Sequence, residues 1–196
     1  MTNTAVTVRP APPGERDEVR DLLRAAYQEY AADIPPHIHR IYLTDLLDMD
    51  RGGPVTTLVA LVAGRIVGTA RLYGAGSART TRLPAGSAWV RAVGVLPGLR
   101  GAGIARELMA ECARLAGQGG ASTLGLHTMA FMPAAIRLYE RLGYRRAPEW
   151  DIDLAARYRL PAGDRFIALA YQIDLPAVEL PDSNNPDSND TAEATR

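Results

Sequence analysis

The spacing of apolar residues in the first quarter of the chain predicts one short strand followed by two helices. Residues 6–9 alternate between apolar and polar side chains, which is typical of a strand. Over residues 15–32 apolar side chains recur every three or four positions, and the same period returns over 38–47 after a double proline. Both helices are therefore expected to bury one face.

The rest of the chain alternates between predicted strands and helices. Gly64-Arg65 joins two apolar runs and predicts the turn of a hairpin. In chain order, the predicted elements are strands at 55–63, 66–72 and 88–95, a helix at 101–116, a strand at 122–128, a helix at 133–142 and a strand at 166–173. The passage from 88 to 128 is long enough for a parallel crossover. This order predicts the α+β class, a mixed central sheet with helices on both faces.

Composition divides the chain into a body and a tail. Residues 1–175 are expected to form a single domain, whereas 176–196 are polar, acidic and rich in Pro, Asn and Asp, which predicts a disordered tail. The 22 basic residues are all arginine and are balanced by 22 acidic residues. The tail holds five acidic residues and one arginine, a net charge of −4, which leaves +4 on the body.

Several classes of protein are disfavoured by this composition. No apolar run approaches the roughly 20 residues of a membrane span, and the N-terminal residues do not resemble a signal peptide, so we expect a cytoplasmic protein with no membrane partner. A single cysteine and three histidines without ligand spacing predict no metal site. A body charge of +4 without a basic stripe predicts no nucleic-acid partner. Chemistry on small molecules is the expected activity.

The glycine-rich segment 96–105 lies between a predicted strand and a predicted helix. Glycines let backbone N–H groups approach a ligand, and the helix N-terminus adds positive potential, so the segment could bind an anion with help from Arg100. A simple tight turn is the alternative. A Walker loop requires lysine, which the chain lacks, and the dinucleotide fingerprint fails because Arg106 follows Gly101 and Gly103 where a third glycine is needed.

Two motifs in this half of the chain resemble those of the GNAT superfamily of acetyl-CoA-dependent N-acetyltransferases. Residues 100–105 match the pyrophosphate loop Gln/Arg-x-x-Gly-x-Gly/Ala. Residues 135–144 are similar to the second motif, Ala-x-x-Leu-Tyr-Glu-x-Leu-Gly-Phe/Tyr. Their order and separation are those of the family, and the predicted elements follow its pattern over residues 5–175.

The resemblance implies acetyl-CoA as cosubstrate, without a metal, and assigns roles by position. The backbone of Val93, Gly94 and Val95 would pair with the pantetheine arm and polarise the thioester. The pyrophosphate cradle would comprise Arg100, Gly101, Ala102, Gly103, Ile104 and Ala105. Tyr139 would be the general acid that protonates the departing thiolate, since a phenol of pKa about 10 stays protonated at neutral pH. A half-buried packing role is the alternative for Tyr139.

Two departures from the family pattern leave the general base open. Trp89 occupies the position of a glutamate that deprotonates the amine in many members, and Met132 replaces an asparagine. The candidate bases are Glu29, His127, Glu149 and Asp151. Residues that could line the acceptor site are Tyr27, Glu29, Tyr30, Trp150 and Asp151, although packing and surface roles explain them equally well. A structural histidine is the alternative role of His127.

The resulting hypothesis is direct attack of a primary amine on the thioester of acetyl-CoA. The acceptor could be a small-molecule amine or a peptide amine, and a homodimer is possible. An acyl-CoA-binding sensor or interaction module without catalysis is the alternative, since the usual glutamate and asparagine are missing, and a loop that binds an unrelated nucleotide is a third possibility. An acyl-enzyme on Cys112 is disfavoured because this thiol lies on an apolar helix stripe.

Overall fold

A mixed sheet of eight strands forms the centre of the described part of the chain. The computed structural model describes residues 5–49, 55–75, 77, 84–161 and 165–176, so the predicted tail, except Pro176, lies outside the described residues. The strands are β1 (Thr7–Pro10), β2 (Thr56–Val62), β3 (Arg65–Tyr73), β4 (Ala88–Val95), β5 (Thr123–Met129), β6 (Arg145–Arg146), β7 (Ile152–Asp153) and β8 (Ile167–Asp174). The helices are α1 (Arg16–Tyr27), α2 (Pro36–Leu47), α3 (Ile104–Gln118), α4 (Pro133–Arg141) and α5 (Ala155–Tyr158).

The first four strands form an antiparallel meander in the order β1-β2-β3-β4. The hairpin between β2 and β3 turns at Ala63 and Gly64, whose φ angles of 50° and 74° are both left-handed. Two consecutive residues with positive φ give a type I′ turn, which matches the twist of paired strands. The hairpin prediction is confirmed, but the turn lies one residue before the predicted Gly64-Arg65 because Arg65 already pairs with Val62.

The two central strands, β4 and β5, run parallel and then diverge. They pair only over three positions, from Ala88 opposite Leu124 to Val90 opposite Leu126. Beyond this point β4 continues along β3 as far as Val95, and β5 continues along β8 as far as Met129. The second half of β4 therefore has one edge that β5 does not cover, and a cleft opens between the two strands.

Helices cover both faces of the sheet, as predicted. On one face α3 packs through Leu108 and Cys112, together with Tyr139 of α4. On the other face α1 and α2 bury Leu23 and Leu46 against the sheet. Two apolar clusters result, and Leu96 and Ala135 pack against both of them. Because helices cover both sheet faces, β3 and β4 have no exposed residue except Arg65 at the start of β3.

The structure differs from the predicted elements in two respects, and it also buries one arginine that was not singled out. The predicted helix over 15–32 ends at Tyr27 and continues as a 3₁₀ segment, Gln28–Ala32. The short elements β6, β7 and α5 were not predicted, because two to four residues cannot display a hydrophobic period. The fully buried Arg71 was also missed, and it donates hydrogen bonds to the carbonyls of Asp48 and Met49 just after α2.

Candidate active site

A cavity of about 910 Å³ occupies the cleft between the diverging strands. Its walls come from β4 and β5, from the ends of α1 and α2, from the start of α3 and from α4 and α5. The sequence-predicted residues Val93, Gly94 and Val95 line it, as does Tyr139. The predicted cofactor strand and the predicted general acid thus border one space, although 44 residues separate Val95 from Tyr139 in the chain.

A β-bulge shapes the cofactor strand. Arg71 pairs with Arg91 and Thr69 with Gly94, so Ala92 and Val93 together face only Ala70 across the ladder. Ala92 has a φ of 56°, an uncommon conformation for a residue with a Cβ. Such a bulge turns backbone groups away from the neighbouring strand.

The carbonyl of Val93, inside this bulge, accepts a hydrogen bond from the Tyr27 hydroxyl at 2.9 Å. Tyr27 is buried, and desolvation raises the pKa of its phenol well above the usual value of 10. A neutral phenol is therefore held against the cofactor strand. Tyr27 lines the cavity, which the sequence analysis named as one of two possible roles for this residue.

The glycine loop adopts the shape that an anion cradle requires. Gly101 and Gly103 have φ angles of 80° and 82°, which favour glycine. Gly103 precedes the first residue of α3, and no side chain caps that helix end. The first backbone N–H groups of α3 are consequently available to a ligand, with the positive end of the helix dipole behind them.

Five of the six predicted cradle residues line the cavity, namely Arg100, Gly101, Gly103, Ile104 and Ala105, and Ala102 does not. The side chain of Arg100 makes an ion pair with Glu29 and donates a hydrogen bond to the Ala26 carbonyl at 2.9 Å. Arg100 therefore links the cradle to the end of α1. The sequence could not reveal this pairing, because Glu29 and Arg100 belong to different elements that only the tertiary fold brings together.

Tyr139 is 6% exposed and lies on α4 beside Tyr144, with 5.9 Å between the ring centroids. Desolvation raises the pKa of the Tyr139 phenol well above 10, so the group stays protonated at neutral pH. Its hydroxyl has no hydrogen-bond partner within the described part of the chain, whereas the hydroxyls of Tyr27 and Tyr158 are both bonded. A protonated, uncommitted phenol on a cavity wall is suited to donating a proton to a ligand.

Of the four candidate bases, only His127 lines the cavity. Its Nε2 lies 3.0 Å from the Trp150 carbonyl and must donate to it, which leaves Nδ1 without a proton in the neutral ring. Desolvation lowers the pKa of His127 below 6.5, so the neutral form prevails at pH 7. Asp151 instead pairs with Arg146 and accepts the Ala170 N–H at 2.9 Å. Glu29 is held by Arg100, and Glu149 is exposed.

The far end of the cavity holds a cluster of charges that the sequence analysis missed. Asp45 of α2 is 9% exposed and makes ion pairs with Arg91 of β4 and Arg157 of α5. Its Oδ2 also accepts a hydrogen bond of 3.0 Å from the Tyr158 hydroxyl. The available signal was the position of Asp45 seven residues after Ile38, on the face of α2 that is otherwise apolar.

An aromatic wall connects this charge cluster to the bulge. Ring centroids lie 6.1 Å apart for Tyr27 and Tyr42, 5.9 Å apart for Tyr42 and Phe166, and 5.8 Å apart for Phe166 and Tyr158. Tyr30 packs at the other end, against Tyr27. This wall is hydrophobic and carries neutral hydroxyls, because desolvation raises the phenol pKa of Tyr42 and Tyr158.

Trp89, at the position of the missing glutamate, stacks on Tyr73 with the ring centroids 4.2 Å apart. It lines the cavity without offering a base. Cys112 is fully buried in the apolar cluster beneath α3, and desolvation raises the pKa of its thiol to about 12. This burial confirms the structural interpretation of Cys112, since the thiolate needed for an acyl-enzyme is not accessible at neutral pH.

The described residues contain neither a membrane-spanning helix nor a cluster of metal ligands. No described helix is long and apolar enough to cross a membrane. Within the same ranges, His, Cys, Asp and Glu side chains form no group of three that could hold a metal ion.

Diverging parallel strands, a bulge in β4 and a glycine loop before an uncapped helix N-terminus form the arrangement expected of an acyl-CoA-dependent acyltransferase. The sequence model of the acetyltransferase (GNAT) family matches residues 16–144, about two thirds of the chain. The chain therefore belongs to the GNAT family, and the resemblance predicted from its two motifs is confirmed. Like the family, it is an acetyltransferase with acetyl-CoA as cosubstrate. No curated protein matches it in sequence.

Solved structures show the same fold at low sequence identity. A GNAT acetyltransferase from Staphylococcus aureus Mu50 is 17% identical, with a TM-score of 0.62, and the match covers 88% of this chain and 100% of that one. PaiA N-acetyltransferase from Thermoplasma acidophilum, solved with coenzyme A, is 12% identical with a TM-score of 0.62, covering 85% and 98%. The ribosomal-protein-S18-alanine N-acetyltransferase from Escherichia coli is 18% identical with a TM-score of 0.60, covering 89% and 97%.

Proposed function

We propose that this acetyltransferase moves the acetyl group from acetyl-CoA to the nitrogen of a primary amine by direct attack, with Tyr139 as the general acid. The observation that carries the proposal is the uncommitted, neutral hydroxyl of Tyr139 on the wall that faces the free edge of β4. Family membership supports acetyl transfer, and we add the proposal that the acceptor is an amine.

The cavity suits the cosubstrate in three respects. The uncapped start of α3, with Gly101 and Gly103 before it, supplies N–H groups for the pyrophosphate. The edge of β4 from Val93 to Val95, which β5 leaves uncovered, supplies backbone groups for the pantetheine amides. When the cosubstrate binds, the guanidinium of Arg100 donates a hydrogen bond to a phosphate oxygen in place of part of its ion pair with Glu29. These residues orient the thioester between the two strands.

In the transfer itself, the amine nitrogen forms a bond to the carbonyl carbon as the carbon–sulfur bond breaks. Tyr139 donates its proton to the departing sulfur, whose thiol has a pKa of about 8.5. Nδ1 of His127 accepts the proton that the nitrogen loses, which its neutral ring permits. Return of the proton from His127 to Tyr139 through water restores both side chains, and the further proton that an ammonium acceptor loses before the attack is released to solvent.

The test is Tyr139→Phe, with Tyr144→Phe as the matched control. Both changes delete one phenol oxygen from a largely buried side chain, and the Tyr144 hydroxyl is buried without a partner and does not line the cavity. Loss of a general acid typically costs 10²- to 10⁴-fold, so we expect kcat of Tyr139→Phe to fall by about 10²-fold with little change in acetyl-CoA affinity. CoA release over a panel of primary amines measures kcat. Equal turnover of both variants and the wild type would remove Tyr139 from this role.

A second candidate function is acyl-CoA binding without transfer, as a sensor or interaction module. One observation favours it: Asp45 is the single carboxylate lining the described cavity, and it is already paired with two arginines. Calorimetry with acetyl-CoA separates the two candidates when combined with the amine panel. Tight binding with no CoA release on any amine would favour the module.

A further inference from the structure

A second cavity, of about 740 Å³, meets the first at the charge cluster around Asp45. The two cavities share Asp45, Arg157 and Tyr158. The second one opens on the far side of these residues, between α1 and α2. The shared residues therefore lie where an elongated acceptor would pass from solvent to the transfer site.

Positive charge prevails at this junction. Arg91 and Arg157 face the one carboxylate of Asp45, which leaves an excess of +1. The second cavity adds Arg20, Arg24 and Arg40 against Asp48.

Some of this added charge is offset and some is not. Arg20 and Arg24 make exposed ion pairs with Asp17 and Asp21, which screen part of their charge. The guanidinium of Arg40, in contrast, has no ion-pair partner among the residues that the structure describes. An acceptor that carried only an ammonium group would be repelled here, whereas an anionic group would be attracted.

Arg157 is the arginine best placed to bind such a group. The Arg91 side chain is 16% exposed and bonds both the carboxylate and the backbone carbonyl of Asp45, so it is committed. The Arg157 side chain is 37% exposed, and its one hydrogen bond within the described chain is a long contact of 3.3 Å to Asp45 Oδ1. No other described side chain or carbonyl accepts a hydrogen bond from its remaining N–H groups, which can bind a carboxylate in the bidentate manner that guanidinium favours.

The distance from the transfer site sets where the anionic group must be on the acceptor. Arg91, whose side chain reaches the junction, precedes Val93 by two residues, so their backbones are at most about 7 Å apart, and the bulge at Ala92 shortens this separation. The intervening wall is aromatic, from Tyr27 through Tyr42 to Tyr158. The carboxylate and the reacting nitrogen must thus be joined by an apolar spacer of several bonds.

From this geometry we propose that the acceptor is a primary amine that carries a carboxylate at the other end of an apolar chain, an ω-amino carboxylate, and that Arg157 binds its carboxylate. This inference rests on the proposed function, since it names the substrate class of the same site.

The first arm of the test measures CoA release by the wild type with two sets of amines. The ω-amino carboxylates are glycine, γ-aminobutyrate and ε-aminocaproate, and the uncharged counterparts are butylamine and hexylamine. Because a charge-assisted hydrogen bond is lost without the carboxylate, we expect kcat/KM for ε-aminocaproate to exceed that for hexylamine by about tenfold or more. Glycine should be the poorest acceptor because it is too short. No release with any amine overturns the proposed function and this inference with it, whereas equal kcat/KM for the charged and uncharged amines overturns this inference alone.

The second arm uses Arg157→Gln, with the exposed hairpin residue Arg65→Gln as the charge-matched control. Arg157→Gln should raise the KM for ε-aminocaproate by about tenfold and leave hexylamine and the KM for acetyl-CoA unchanged. Arg157→Lys keeps the positive charge but cannot form two parallel hydrogen bonds, so its KM for ε-aminocaproate should lie between those of the wild type and Arg157→Gln. Equal losses for ε-aminocaproate and hexylamine in Arg157→Gln would show a merely structural role and overturn the proposal.

Discussion

Gly68 of β3 is a position where one added methyl group tests how closely the cofactor cradle depends on the sheet. A Cβ built on Gly68 lies 2.8 Å from Cγ2 of Ile104 and 3.1 Å from Cδ1 of Leu108, both on α3, and 3.3 Å from the Gly94 carbonyl oxygen. Ile104 is the first residue of α3, and Gly94 belongs to the predicted cofactor strand. Gly68→Ala should therefore displace the cradle and the strand together.

The magnitude follows from these distances. Ordinary carbon contacts begin near 3.5 Å, so α3 or its side chains must move by roughly 0.7 Å. Overpacking of this kind lowers the free energy of unfolding by about 1–3 kcal/mol. Alanine also reduces the conformational entropy of the unfolded chain, which offsets about 0.4–1 kcal/mol of that decrease. The net loss lies between about 0 and 2.6 kcal/mol, centred near 1.3 kcal/mol, and for a chain of this size the central value lowers the Tm by roughly 3–5 °C. A displaced helix start should also weaken acetyl-CoA binding by up to about tenfold.

Scanning calorimetry gives the Tm, and titration calorimetry gives the affinity for acetyl-CoA. Gly74→Ala is the control, because it lies just after the same strand and a Cβ there has no atom within 4 Å. We expect the control to keep both the wild-type Tm and the wild-type affinity. If Gly68→Ala matched Gly74→Ala in both measurements, the close packing of β3 against the start of α3 would not constrain the cradle.

Two further predictions concern buried polar groups. Asp45→Asn leaves the guanidinium of Arg91 without its carboxylate. Because the pair is partly exposed, the free energy of unfolding, measured in urea, should fall by roughly 2–3 kcal/mol. An unchanged urea midpoint would contradict a stabilising ion pair. His127 has a folded-state pKa below 6.5, so the unfolded chain binds its proton first and stability should decrease as the pH falls below about 6.5. His127→Gln should remove that component in thermal melts from pH 7.5 to 5 and lower kcat, whereas an identical pH dependence would exclude a buried neutral His127.

The order of the long elements could be predicted from the sequence, because hydrophobic period is a local property. Helices α2, α3 and α4 and strands β2 to β5 lie within a few residues of their predicted bounds. The conformation of the glycine loop was also predictable, since glycines before an amphipathic helix are a local signal, and Gly101 and Gly103 do adopt the left-handed conformation. The extent of the helix over 15–32 was wrong because its change to 3₁₀ geometry at Gln28 leaves the apolar spacing intact.

The sequence by itself thus determined the family, and it indicated the strand and loop proposed to bind the cosubstrate and the tyrosine proposed as the acid, since each is encoded by neighbouring residues. Only the tertiary structure decided which polar groups meet. The pairing of Arg100 with Glu29, the bond from Tyr27 to the bulged Val93 and the cluster of Asp45 with Arg157 join elements far apart in the chain. Such contacts depend on where strands diverge and helices cross. The spacing of hydrophobic residues within one element contains no information about that geometry.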